Sequence, residues 1–103
     1  MDDAREINES PLVQGADEII TYQLTTTPWG STPSSISVKA YKITGGGNTD
    51  VTSTVLSGSA AAVGDVITLP ILQALTKGEE YQIEIKFSVA GNTLECYMVV
   101  DCN

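Results

Sequence analysis

Two cysteines, Cys96 and Cys102, bracket an apolar run in the last stretch, "ECYMVVDCN". A close thiol pair can form a disulfide, a redox couple or half of a zinc site. Spacing decides among these. Both positions are even-numbered, so on a continuous strand the two side chains share a face, and six residues span ~20 Å at about 3.3 Å each. A disulfide needs Cα atoms within about 7 Å. The pair therefore reads as two small apolar core residues. Cys102, close to the end of the chain, keeps the one claim to exposure and to an intermolecular disulfide.

The chain has no histidine. This removes the commonest general base and neutral metal ligand, and no Ser–His or Cys–His nucleophile pair can form within it. Asp2-Asp3, Asp17-Glu18 and Glu79-Glu80 are acidic doublets outside any "DxDxDG" loop, so they read as solvated surface rather than calcium ligands. Glu84 and Glu95 fall on the solvent side of neighbouring strands, without the cleft that a glycosidase pair needs. "TGGGNTD" lacks the lysine and the strand-to-helix setting of a phosphate loop. The expectation is a non-enzyme with no cofactor and no metal.

Thirteen acidic residues against five basic ones give a net charge of −8. Nucleic-acid affinity rests largely on Lys and Arg at phosphates. The five cations are scattered, so nucleic acid is not an expected partner. No apolar run approaches the ~20 residues of a membrane helix, and no membrane partner is expected. "MDDAREINES" has neither the basic end nor the apolar stretch of a secretory signal, which predicts no export by the standard route.

The elements that carry these residues alternate with period two. In "EIITYQL", Ile20, Tyr22 and Leu24 share one face. In "ISVKAYKI", Ile36, Val38 and Ala40 do the same. "VTSTVL" and "VITL" read as short strands, with turn-rich "SGSAAAVGD" between them. "PILQALTKG" has Pro at a helix-start position and Ile71 and Leu75 four apart, so it predicts a short helical turn at about 70–76. In "YQIEIKFSV", Tyr81, Ile83, Ile85, Phe87 and Val89 form an apolar face. A Gly91-Asn92 turn then pairs Phe87 with Cys96, Ile85 with Met98, Ile83 with Val100 and Tyr81 with Cys102.

These elements predict an all-β, antiparallel sandwich of about 7 strands over residues 17–103, preceded by an extended arm over 1–16. "LTKGEEY" resembles the tyrosine corner of fibronectin type III-like domains, through Leu75, Gly78 and Tyr81, with Lys77 in the place of that motif's proline. The resemblance implies an immunoglobulin-like (fibronectin type III-like) sandwich whose tyrosine hydroxyl bonds upstream backbone.

The candidate surface residues are of one kind. Pro11, Leu12 and Val13 lie in the arm, which could add itself to a sheet edge. Trp29 lies in the loop "TTTPWGSTPSS", either as a binding anchor or as a cap on one end of the sandwich. Tyr97 and Val99 face solvent on the last strand, as an apolar pair among Lys86 and Glu84. Together these six residues are the candidate protein–protein interface.

Across about residues 17–100 the chain resembles small immunoglobulin-like structural proteins of tailed phages, including fiber–tail adaptor and neck-region proteins. The resemblance rests on "DEIITYQL", "SSISVKAY", "LTKGEEYQIEIKFSVAGNTLE" and "CYMVV", and on Gly78, Tyr81, Gly91, Thr93 and Glu95 within them. It implies a non-enzymatic virion building block, made in the host cytoplasm and used in many copies. The partners it implies are other virion structural proteins and further copies of the chain. A capsid decoration protein is the near alternative. A fibronectin type III-like adhesion or carbohydrate-binding module is the alternative of another class.

Overall fold

The long hairpin at the end of the chain organises the fold. The computed structural model describes residues 4–6, 12–26, 30 and 32–102. In chain order its elements are β1 (Ala4–Glu6), β2 (Leu12–Gln14), β3 (Gln23–Thr25), β4 (Ser34–Lys42), a 3-10 turn (Thr44–Gly46), β5 (Thr49–Asp50), α1 (Thr52–Val55), β6 (Leu56–Ser57), β7 (Ala61–Val63), β8 (Val66–Thr68), β9 (Ile71–Leu72), β10 (Glu80–Val89) and β11 (Asn92–Cys102). The molecule is an all-β sandwich. Its larger sheet runs β1-β11-β10-β4-β5, with β2 also on the β11 edge. β3, β8 and β7 form one part of the facing layer, and β6 and β9 form the other. A bridge between Ile20 and Leu72 joins the two parts.

Alternation sets the faces as expected. Tyr81, Ile83, Ile85, Phe87 and Val89 are buried, and so are Cys96, Met98, Val100 and Cys102 on the partner strand. They pack with Leu24, Ala40, Val55, Ile67, Leu69, Leu72 and Leu75 in one core. The pairing register differs from the expected one by two residues. Ile85 lies opposite Cys96, Ile83 opposite Met98 and Tyr81 opposite Val100. The turn is Ala90-Gly91, at φ 51° and 82°, rather than Gly91-Asn92. A type I′ turn needs two left-handed residues and favours Gly at the second. Sliding back by one turn position puts Gly91 there, at the cost of a left-handed Ala90. A slip of two keeps every side chain on its face, whereas a slip of one would invert them.

Three local expectations are corrected. "VTSTVL" carries α1, not a strand. The Asp50 carboxylate accepts the Thr52 N–H at 2.9 Å. Val51 and Val55, one turn apart, are joined by an N–H to carbonyl bond of 3.0 Å. The helical turn expected at 70–76 is absent, and the segment instead contributes β9. Pro70 has no N–H and sits between two ladder bonds, Leu69 to Tyr22 and Leu72 to Ile20. Left-handed Ala74 (φ 57°) bars a following helical turn. Within the stretch read as turn, β7 pairs back on β8 through Gly64-Asp65, with Val63 opposite Val66.

The two N-terminal strands run parallel to β11, unlike the antiparallel remainder. Ala4 lies opposite Glu95, and Leu12 opposite Val100. Gln14, at the end of β2, is fully buried and ties the two layers together. Its Nε2 donates to the Leu72 carbonyl at 2.8 Å and to the Glu18 carbonyl at 3.0 Å. Its Oε1 accepts the Tyr22 hydroxyl at 2.9 Å.

Candidate functional site

The geometry of the "LTKGEEY" corner matches what its residues imply. Leu75 and Tyr81 are buried, and the Tyr81 hydroxyl accepts the Thr76 N–H at 2.9 Å. Gly78 takes φ 88° within the turn from Thr76 to Glu79, where a Cβ would strain the backbone. The corner also anchors the end of β11. Gly78 donates to the Cys102 carbonyl at 2.9 Å, and Cys102 donates to the Glu79 carbonyl at 3.0 Å.

Both cysteines are buried and neither is in a disulfide, so Cys102 is not exposed. Burial pushes the Cys102 thiol above its ordinary pKa. The thiolate is the reactive species, so this environment suppresses its nucleophilicity.

The outer face of the larger sheet collects three of the six candidate interface residues. Tyr97 lies opposite Glu84, Val99 opposite Gln82, and Asp101 opposite Glu80. β2 continues the face, with Val13 beside Asp101. On the other side of β10, β4 adds Tyr41 beside Gln82 and Lys39 beside Glu84. Val13 is 59% exposed, whereas Tyr97 and Val99 are half-buried. Leu12 turns the other way and packs on the core. Pro11 and Trp29 lie outside the described residues. The sequence expectation did not include Tyr41 in the interface. Its odd position on an alternating strand is the signal that places it on this face.

Charge is mixed across this face. Lys86 faces Glu95, and Lys39 faces Glu84. At its lower corner Glu80 and Asp101 share a hydrogen bond, which raises the Glu80 carboxyl above its ordinary value. Among the described residues the face thus combines Val13, Val99, Tyr97 and Tyr41 with interspersed charged and amide side chains.

A second feature lies on the opposite edge of the sheet. A cleft of about 470 Å³ opens between the two layers, lined by Val38, Asp50, Thr52, Ser53, Leu56, Gly58 and Pro70. α1 crosses from one layer to the other at its margin. The Thr52 hydroxyl accepts the Ala40 N–H at 3.0 Å and so continues the β5 pairing by a side chain. The N–H of Thr52, at the start of this crossover, donates to the Asp50 carboxylate and holds the Asp50 carboxyl below its ordinary value.

Comparison with known proteins finds no matching family model, no similar curated protein and no similar solved structure.

Proposed function

We propose that the chain is a non-enzymatic structural module of a phage virion, with an immunoglobulin-like sandwich that assembles through its outer sheet face in many copies. The position is a neck, tail or fiber-attachment one, and a capsid decoration role is the nearest variant. The observation that carries the reading is that Val13, Val99, Tyr97 and Tyr41 share one outer sheet face, interspersed with Gln82, Glu84 and Asp101. The sequence resemblance to phage structural proteins and the fibronectin-like corner support it. A sandwich that buries both of its thiols and places Tyr41 and Tyr97 on one outer sheet face is suited to packing against other surfaces.

Light scattering of the purified chain, alone and mixed with neck or capsid components, tests the proposal. Incorporation into an assembly, weakened at least about tenfold by Tyr97→Glu with folding unchanged, is the expected result. A strict monomer that joins no particle and binds a glycan would sink it. That outcome would favour the adhesion or carbohydrate-binding reading, for which Tyr41 and Tyr97 on one face supply the aromatic platform.

A further inference from the structure

The edge of β4 beside the cleft carries an inference that goes beyond the virion reading and does not depend on it. Ala40 turns both of its backbone groups away from β10: its N–H goes to the Thr52 hydroxyl, and its carbonyl accepts the Val51 N–H at 2.9 Å. In an antiparallel ladder, backbone groups alternate between the two sides of a strand. Val38, two residues earlier, therefore turns its N–H and carbonyl to the same free side. β5 reaches only as far as Tyr41 and Lys42. Among the described residues, no strand pairs with β4 beyond Ala40 on that side.

The cleft begins where the pairing stops. Val38 lines it, with Leu56 and Pro70 from the facing layer below and Asp50, Thr52 and Ser53 at one end. A strand laid along β4 would place the residue beside Val38 with its side chain pointing inward, as Val38 does. That side chain would enter the cleft. An aliphatic stem fits against Leu56 and Pro70; Asp50, opposite Tyr41 in the register, sits at the rim of the cleft, where its carboxylate accepts the Thr52 N–H and would meet a cationic head that extends out to the edge. Among the lining residues Asp50 is the charged one, and the chain as a whole carries −8. Left-handed Ser35 (φ 52°) and the register shift between Lys86 and Ser88 end the regular edge, so the docked segment is short.

We propose that the β4 edge from Ile36 to Lys39 is a docking site for an extended segment of a partner protein, which pairs with Val38 and seats a Lys or Arg side chain in the cleft. The mode is strand addition: backbone bonds supply affinity and the cleft supplies specificity. With five Lys and Arg against thirteen acidic residues, the chain is poor in the cationic side chain that the cleft would take, so the occupant is a segment of a more basic partner.

Selection of random linear peptides against the full-length chain, followed by amide chemical-shift mapping of the winners, tests the assignment. The expected winners hold a Lys or Arg between two β-branched residues and shift the amides of Ile36, Val38, Thr52 and Leu56. Val38→Pro removes the outward N–H and leaves the ladder to β10 intact, which an edge strand tolerates. It should weaken binding at least about tenfold. Asp50→Asn keeps the acceptor for Thr52 and removes only the charge. It should weaken basic peptides about three- to tenfold at low salt and leave neutral peptides unchanged. Should the proline variant fail to fold, the salt-dependent loss in Asp50→Asn decides. The assignment is overturned by winners that map to the face of Tyr41 and Tyr97, by binding that both variants leave intact, or by failure to select any peptide. A concentration-dependent dimer joined through β4 would overturn it too, by making a second copy the occupant.

Discussion

Gln14 is the residue whose replacement should reveal most about how the sandwich closes. It is fully buried and joins β2 to the facing layer through two donated bonds and one accepted bond. Gln14→Met keeps most of the volume and removes all three bonds. Each is worth about 1 kcal/mol net. The Leu72 carbonyl keeps the Ile20 N–H at 3.1 Å, so it is not orphaned. The Tyr22 hydroxyl is half-buried and can turn to water. The expected loss is thus about 2–3 kcal/mol, or roughly 8–20 °C in Tm for a domain of this size. Gln14→Glu is the sharper variant. It keeps the acceptor for Tyr22 but sets a carboxylate against the carbonyls of Leu72 and Glu18. Only the protonated acid can donate there, so its folded-state pKa is raised above the unfolded value of about 4.3. The native state then binds the proton more tightly than the unfolded chain. Stability relative to the unsubstituted protein is highest below about pH 4.3. It falls by up to about 1.4 kcal/mol per pH unit until the folded-state pKa is passed, and is flat beyond. Urea unfolding followed by circular dichroism from pH 4 to pH 8 on both proteins measures this difference directly. A difference that does not change with pH, or a Gln14→Met variant as stable as the parent, would refute the latch.

Two further perturbations test the hairpin and the core. Ala90 sits at φ 51° in the first position of the β10–β11 turn, where Asn is the favoured residue. Ala90→Asn should therefore stabilise the protein by about 0.5–1 kcal/mol in chemical denaturation, and a loss of stability would point to the Gly91-Asn92 turn instead. Both thiols should react with a thiol-specific reagent far more slowly than free cysteine under native conditions. Cys102, the last residue of β11, is held by its bonds to the corner and its pairing with Gln14 but, among the described residues, has no partner in β10; it should be labelled before Cys96, and mass spectrometry of the labelled peptides reads the order. Prompt labelling of both would show that β11 is not docked.

The parts of this fold that were legible in the sequence are those governed by period two. Tyr81 to Val89 and Cys96 to Cys102 fall on the buried face by alternation alone, and the corner was visible as Leu75, Gly78 and Tyr81. What was misread has identifiable causes. "VTSTVL" is rich in β-branched residues and looks like a strand, yet the Asp50 carboxylate takes the Thr52 N–H two residues on, a local side-chain bond that competes with strand pairing. Gly64-Asp65 is a hairpin signal that the surrounding alanines obscured. Pro70 read as a helix start because proline suits both the first helical turn and a gap in a ladder, and only the bonds of Leu69 and Leu72 to Tyr22 and Ile20 distinguish the two. Gln14 carried no signal at all. Its main partner, Leu72, is 58 residues away in sequence, and a solvated glutamine in "ESPLVQG" looks the same as a buried one.

The same distinction separates the two surfaces. The outer strip of Tyr97 and Val99 was legible because a face is a property of one strand, and Tyr41 follows by the same rule. The cleft was not, because it exists only where three things coincide: β5 ends at Asp50, Thr52 replaces strand pairing with a hydroxyl, and Pro70 denies the facing layer an N–H. None of these is unusual alone. Together they leave Val38, among the described residues, with no strand beside it on that side at the mouth of a space between layers. Natural sheets commonly guard such edges with charge, proline or a bulge. The bulge at Ser35 and the outward Lys39 guard all but Val38 and its neighbours, and a guard that stops short at a cleft marks a place where pairing is wanted.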